Sequence, residues 1–276
     1  MANSSEVEIG DTMSERHPEG LIVVERRGAV LLIGLDRVEK RNGVTPKMFR
    51  ELGEAYTLLE RSPELFVGLL YANGEHFSAG IDLPLMAEYR KEGKPYVPLH
   101  LVDPVQMREP YRKKPVVTAM QGLCFTIAIE LMLAADVVIA ADDCRFAQME
   151  VRRGIMPGAG GSFRIVERAG WGNAMKWLLT GDEFGSAEAL RIGLVQEVVP
   201  AGTQFERALS VAQRVAEQAP LAVQATIENA RIAQGQGWMH AATHATAKNT
   251  WLYATEDAAE GRQSFIDKRP ARFTGR

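Results

Sequence analysis

The run from Leu123 to Ala141, LCFTIAIELMLAADVVIAA, is the segment that most limits how this chain can fold. It is apolar nearly throughout, and its length approaches that of a membrane span. Glu130 and Asp136 lie inside it, however, and charges within a span are costly. A helix of about ten residues, Thr126 to Ala135, followed by a buried strand, Val137 to Ala141, accommodates the same residues in a globular interior. The membrane reading is rejected on that ground. With 276 residues, the chain can bury such a core without disulfide or metal support, and its length fits one large domain or a domain plus an appendage.

The rest of the chain supplies partners for that core. Leu21–Arg26 and Ala29–Leu35, separated by a short Arg-Gly turn, predict a hairpin. Pro46 opens PKMFRELGEAYTLLERS, where Met48, Leu52, Tyr56 and Leu59 recur at helical spacing behind a proline suited to a first turn. Leu65–Tyr71 reads as a buried strand ended by Asn73-Gly74. Val116–Gln121 and Phe146–Glu150 read as further strands, the latter followed by the glycine-rich RRGIMPGAGGS. Helical patterns return at Ser162, with a short helix at Ser186–Leu194, a strand at Gln196–Val199 and an amphipathic helix at Thr203–Gln218. Strand–helix units followed by a nearly all-helical tail predict an α/β core with a helical C-terminal region. Pro200–Gly202 is the best boundary, giving a flexible tail over 1–19, a core over 20–202 and a helical region over 203–276.

Composition narrows the function classes. The formal net charge is −3, and basic and acidic residues interleave, so nucleic acid is not an expected partner. Cys124 and Cys144 belong to no C-x-x-C pair and suggest neither a zinc ribbon nor a disulfide framework, which leaves a reducing cytoplasm as the expected compartment. The polar, acidic start of the chain has neither the apolar core of a signal peptide nor the Arg-rich character of a transit peptide. His240 and His244 are four apart on an expected helix, but HAATH lacks the glutamate of a zinc-protease motif, so no metal is expected. Gly158-Ala159-Gly160-Gly161 has the wrong spacing for a dinucleotide fingerprint. The Trp238, Met239 and Trp251 neighbourhood reads as helix packing or a subunit contact.

Three features can carry chemistry. Glu130 is flanked by Ile127, Ile129, Leu131 and Leu133, and burial disfavours its charged form and raises its pKa. That is how a glutamate becomes a general acid near neutral pH. The same position also suits a structural glutamate paired with a buried arginine or capped by backbone. Glu150, at the end of an expected strand before a glycine-rich turn, suits either a reacting carboxylate or a surface salt bridge to Arg152 or Arg153. HFSAGIDL, residues 76–83, turns at Ala79-Gly80, where small residues let backbone N–H groups approach a ligand as an oxyanion hole does. It also fits a plain strand-to-helix turn with Asp82 as the helix cap.

Taken together and in order, these segments resemble the crotonase (enoyl-CoA hydratase/isomerase) superfamily. HFSAGIDL resembles its F-x-A-G-x-D-L segment, and KPVVTAMQG, residues 114–122, resembles the strand leading to its second oxyanion-hole element. IELMLAADVVIAADDCRFAQMEVRRGIMPGAGGSFR, residues 129–164, resembles the long signature that follows. LLTGDEF, SAEALRIGLVQEVVP and FIDKRPARFTGR match downstream landmarks, so the resemblance spans roughly residues 21–276.

The resemblance implies a spiral of β-β-α units, with a C-terminal helical region that assembles homotrimers, commonly paired into homohexamers. It implies an acyl-CoA thioester substrate, with coenzyme A part of the substrate and no separate cofactor. It aligns Glu130 and Glu150 with the two catalytic glutamates, and the backbone N–H groups of Ile81 and Ile127 with the oxyanion donors. Phe77 and Ala79 fall in the loop that borders CoA, and Lys40 and Arg41 fall where basic side chains meet CoA phosphates. The implied reaction is reversible hydration of a 2-enoyl-CoA, with Glu130 holding and activating water and Glu150 delivering the proton. An enoyl-CoA isomerase or other crotonase-type acyl-CoA enzyme, and a non-catalytic CoA-binding protein, are the competing expectations. The chain departs from the family's usual pattern at Thr126-Ile127-Ala128, which replaces a glycine cluster, and at Met149, which replaces a proline.

Overall fold

The computed structural model describes residues 17–276; the expected flexible tail lies outside the described residues except for His17, Pro18 and Glu19. Pro18 and Glu19 are tied to the rest of the fold. The carbonyls of Pro18 and Glu19 accept bonds from Arg37 and from the Thr45 hydroxyl.

β1 (Leu21–Arg27) and β2 (Val30–Asp36) form the expected antiparallel hairpin. α1 (Pro46–Arg61) begins where Thr45 accepts the Met48 N–H at 3.1 Å, and Pro46 occupies a first-turn position that needs no donor. β3 (Val67–Ala72) pairs parallel with β2, and α2 (Leu83–Lys91) follows, capped by Asp82. β4 (Val116–Met120) then pairs parallel with β3.

At Gln121-Gly122 the chain changes sheets. Gly122 has φ +52°, and a Cβ there would lie 2.2 Å from the Glu75 carbonyl oxygen, so only glycine fits this corner. β5 (Leu123–Phe125) consequently belongs to a second sheet, and α3 (Ile127–Ala134) follows it. β6 (Val137–Ala141) returns to the main sheet, and β7 (Arg145–Ala147) pairs parallel with β5. α4 (Gly161–Ala169) and α5 (Trp171–Thr180) come next, then β8 (Phe184–Gly185), α6 (Ser186–Arg191) and β9 (Glu197–Val199). The main sheet has the order β1-β2-β3-β4-β6-β9, and the small one the order β5-β7-β8. β4-β5-α3 and β6-β7-α4 each give one strand to each sheet before a helix, which is the expected spiral.

Both faces of the main sheet are covered. Leu31, Ile33, Leu70 and Val138 pack with α1 and α3, whereas Leu32, Leu69, Val117 and Ile139 pack on α7 (Gln204–Ala216). This alternation is what a parallel sheet buried on both sides requires. α7 therefore completes the core, and α8 (Pro220–Gln236), α9 (Trp238–Leu252) and α10 (Glu256–Asp267) form the remaining helical tail. Every residue of α3 is buried. Among the described residues, no helix is long and apolar enough to cross a membrane.

Two segments depart from the expected layout, one that the sequence leaves unassigned and one that ends early. Leu123–Phe125 is a strand, because the glycine corner delivers it to the second sheet. The strand expected to reach Glu150 stops at Ala147, since Met149 leaves extended geometry (φ −101°, ψ 15°) and Glu150 opens a single 3-10 turn ending at Gly154.

Candidate active site

Thr126 enters α3 at φ +50°, an unusual conformation for a β-branched residue. Its N–H donates to Ala147 at 2.9 Å, and its carbonyl accepts from Ile129 and Glu130. The Ile127 N–H is left at the open end of α3 with no acceptor among the described residues, where the helix dipole favours negative charge.

The Ile81 N–H is freed in a different way. Gly80 (φ +111°) accepts from Val44, and the Asp82 N–H donates to the Val44 carbonyl, both at 2.9 Å. These bonds face one side of the strand-like segment and leave the Ile81 N–H on the other. The Ser78 hydroxyl bonds the Asn42 carbonyl at 2.7 Å, and nearly buried Arg37 holds Asp82 at 2.8 Å. A Cβ on Gly80 would sit 2.7 Å from Thr126 Oγ1. The segments carrying the two free N–H groups are therefore in contact.

Glu130 projects from the first turn of α3. Its Oε1 accepts the N–H groups of Ala159 at 2.7 Å and Gly161 at 3.0 Å. Burial raises its pKa, and those two donors together with Arg164 reduce but do not cancel that rise. Burial also raises Glu150, up to about 7, with the Glu130 charge adding to the shift against its own backbone N–H. Glu150 Oε2 is buried without a hydrogen-bond partner. The alternative of a surface ion pair with Arg152 is not realised, because Arg152 pairs with Asp182. Beside the carboxylates, Gln148 is fully buried and neither polar atom of its side chain has a partner.

One cavity of about 590 Å³ is lined by Ala79, Ile81, Ile127, Glu130 and Glu150 together. The structure thus brings five of the eight sequence-selected residues to one space. Phe77 is elsewhere: its side chain is wholly buried in the core, and its contribution is an N–H bond to the Gln121 carbonyl. Lys40 and Arg41 are exposed on the turn before α1, outside this cavity, although the Arg41 carbonyl accepts the Ala79 N–H at 2.9 Å. Two preformed donors facing two proton-accepting groups can stabilise an enolate-like oxyanion while moving protons at adjacent carbons.

A family model described as enoyl-CoA hydratase/isomerase matches residues 25–276. The chain belongs to that family. It is 32% identical over 256 residues to the 2,3-dehydroadipyl-CoA hydratase of Escherichia coli, covering 92% of this chain and 99% of the relative. It is 33% identical to the carnitinyl-CoA dehydratase of Citrobacter koseri, covering 91% and 97%. Among solved structures, a probable enoyl-CoA hydratase/isomerase from Mycobacterium abscessus superposes with a TM-score of 0.90 at 42% identity, covering 92% of this chain and 98% of that one.

Sequence reasoning missed much of this family member's site. The Ala159 and Gly161 donors lie in a segment that reads as a flexible glycine-rich turn; the signal was that glycine run ending at the first turn of a helix. The cavity wall from Met86 to Met107 carries no periodic pattern at all. His244 bonds Asn229 and Glu228, and His240 bonds the Gln236 carbonyl. Among the described residues, no group of three or more His, Cys, Asp or Glu could hold a metal ion.

Proposed function

We propose that this chain reversibly hydrates a 2-enoyl-CoA thioester. The observation carrying the reading is the pair of carboxyl groups, Glu130 buried and Glu150 half-buried with its pKa raised to about 7, lining a cavity with two unpaired N–H groups. The thioester oxygen lies between the Ile81 and Ile127 N–H groups. A water held by Glu130 adds through its oxygen to Cβ and gives a proton to that carboxylate. Negative charge moves through Cα to the thioester oxygen, and the Glu150 carboxylic acid delivers a proton to Cα. A proton passing from Glu130 to Glu150 resets the site, so the two titrate as a pair. The raised Glu150 pKa supports its role as donor, and the two backbone bonds on Glu130 support its role in orienting water.

The remaining assignments follow the same reading. Ala79 borders CoA, and Lys40 and Arg41 meet its phosphates from the adjoining turn; CoA arrives as part of the substrate, with no separate cofactor. The chain assembles as a homotrimer or homohexamer, supported by Trp238, Trp251, Tyr253, Phe265 and Ile266, which are large apolar residues left exposed on or beside the C-terminal helices. It works in the cytoplasm, supported by two free cysteines.

The test is loss of the conjugated enoyl-thioester absorbance with purified protein. Glu130→Gln and Glu150→Gln are each expected to lower kcat by about 10²–10⁴-fold. Wild-type turnover no faster than the Glu150→Gln control, across enoyl groups of different length, refutes the hydratase reading.

A further inference from the structure

We infer that the acyl group taken by this site is large and apolar, rather than a short or an anionic one. The inference deepens the hydratase reading and rests on it. A butenoyl group has five non-hydrogen atoms and, at roughly 30 Å³ for each water-sized unit, fills only about 150 Å³. The cavity of about 590 Å³ leaves ample space for a longer chain beside the thioester end of the CoA arm.

The chemistry of the wall points the same way. Phe49, Met86, Tyr96, Val97, Val105 and Met107 line one side, and Met149 and Met156 lie among the lining residues contributed by the catalytic turn. Tyr96 is fixed by stacking on Phe49 and Tyr89, with ring centroids 6.0 and 5.5 Å apart. Methionines, unbranched and polarisable, adapt to apolar groups of varied shape.

The charged residues of the lining are committed or exposed. Asp103 accepts the N–H groups of Val105 at 3.2 Å and Met107 at 2.8 Å, one on each carboxylate oxygen. Arg108 donates to the carbonyls of Val97 at 2.7 Å, Pro98 at 3.1 Å and Glu109 at 2.9 Å. Arg90 donates to the Tyr96 hydroxyl at 3.1 Å and, like Arg153, is exposed at the surface. Among the described residues, the arginines lining the cavity are half-buried or exposed, and the buried charged residues there, Asp103 and Glu130, are acids that oppose a carboxylate at the end of an acyl chain.

The experiment compares kcat/KM for trans-2-butenoyl-CoA, trans-2-decenoyl-CoA and 2,3-dehydroadipyl-CoA, and measures binding of saturated decanoyl-CoA and butyryl-CoA by calorimetry. The decenoyl thioester is expected to exceed each of the others by at least about tenfold, and decanoyl-CoA to bind about tenfold tighter than butyryl-CoA. Met107→Trp, at a half-exposed position that tolerates a larger side chain in folding, is expected to cut the decenoyl-to-butenoyl ratio several-fold. Met156→Trp repeats the test from the opposite segment. Hydration with equal or better use of the butenoyl or dehydroadipyl thioester overturns the inference and leaves the reaction standing. Decanoyl preference in binding, abolished by Met107→Trp but with no hydration of any thioester, upholds the pocket and overturns the reaction. A ratio unmoved by both tryptophans also overturns the inference.

Discussion

Replacing Gly161 by alanine tests how tightly the chain holds Glu130. Gly161 is the first residue of α4, where alanine is intrinsically the better helix former, so propensity alone predicts a gain in stability. The surroundings predict the reverse. The added Cβ would lie 2.4 Å from Gln148 Nε2, 3.0 Å from Pro157 Cβ and 3.2 Å from Glu130 Oε1. Gln148 Nε2 ends a flexible side chain with no hydrogen-bond partner and can swing aside, so the strain falls on the stiff proline ring and on Glu130. Forcing such a contact costs about 1–3 kcal/mol, which lowers Tm by roughly 2–4 °C for each kcal/mol. The displaced atoms include the N–H donor and the carboxylate it orients, and a misplacement near 1 Å costs about 10²-fold in rate. Gly161→Ala should therefore lose about ten- to a hundredfold in kcat with a smaller change in KM. Gly158→Ala is the matched control: it lies in the same turn, has no atom within 4 Å of the added carbon, and should keep wild-type Tm. Thermal melts and steady-state hydration of both variants decide the matter. A Gly161→Ala enzyme with wild-type Tm and kcat within twofold would falsify the claim that Glu130 is clamped from both sides.

Two other perturbations follow from the same geometry. Because Glu150 titrates near 7 and acts as the acid, kcat/KM for hydration should fall as pH rises through that value, and Glu130→Gln, by removing a neighbouring negative charge, should move the limb of the residual rate to lower pH; a limb unchanged in position argues against the assignment. The raised pKa also sets a stability sign: the folded state favours the protonated form, so relative to Glu150→Gln the wild type is at its most stable below the unfolded pKa near 4.5 and loses that advantage as pH rises through about 7, which urea melts across this window will register. Asp82→Asn keeps an oxygen to cap α2 but strands the nearly buried Arg37 guanidinium without its counter-charge, an expected loss of about 3 kcal/mol read from the urea midpoint. The same change should lower kcat more than it raises KM, because Asp82 adjoins the Ile81 N–H; a midpoint within experimental scatter of wild type would show that the pair contributes little.

The two candidate carboxylates were legible because each breaks a local rule. Glu130 is an acid in an otherwise apolar helix, and Glu150 stands immediately before a glycine-rich turn that interrupts the strand and helix patterns. The fold was legible for a similar reason: each buried strand is a short run of branched apolar residues closed by a turn signal, as Leu65–Tyr71 is by Asn73-Gly74. What failed was the course of the chain where tertiary contact overrides local preference. Leu123–Phe125, between an expected strand and an expected helix, belongs to neither in the sequence, and only the crowding of Gly122 against the Glu75 carbonyl turns it into the second sheet. Glu150 looks like the end of a strand, yet the 3-10 turn aims it into the cavity rather than towards Arg152.

Specificity is hidden in the sequence for a physical reason that reaches beyond these boundaries. A reacting group must be chemically unlike its surroundings, so it stands out against them. A wall that receives an apolar acyl chain must resemble a protein core, and Met86, Val97, Val105 and Met107 are indistinguishable by composition from residues that pack on one another. Only their placement around an open volume separates the two roles. The turns that build this wall are held by Arg108 and Asp103 through backbone groups, and such bonds leave no periodic trace. Charge in the segment thus looks functional in sequence and proves structural in space, while its apolar residues look structural and face the cavity. That inversion is why the acyl group has to be argued from the cavity and not from the motifs.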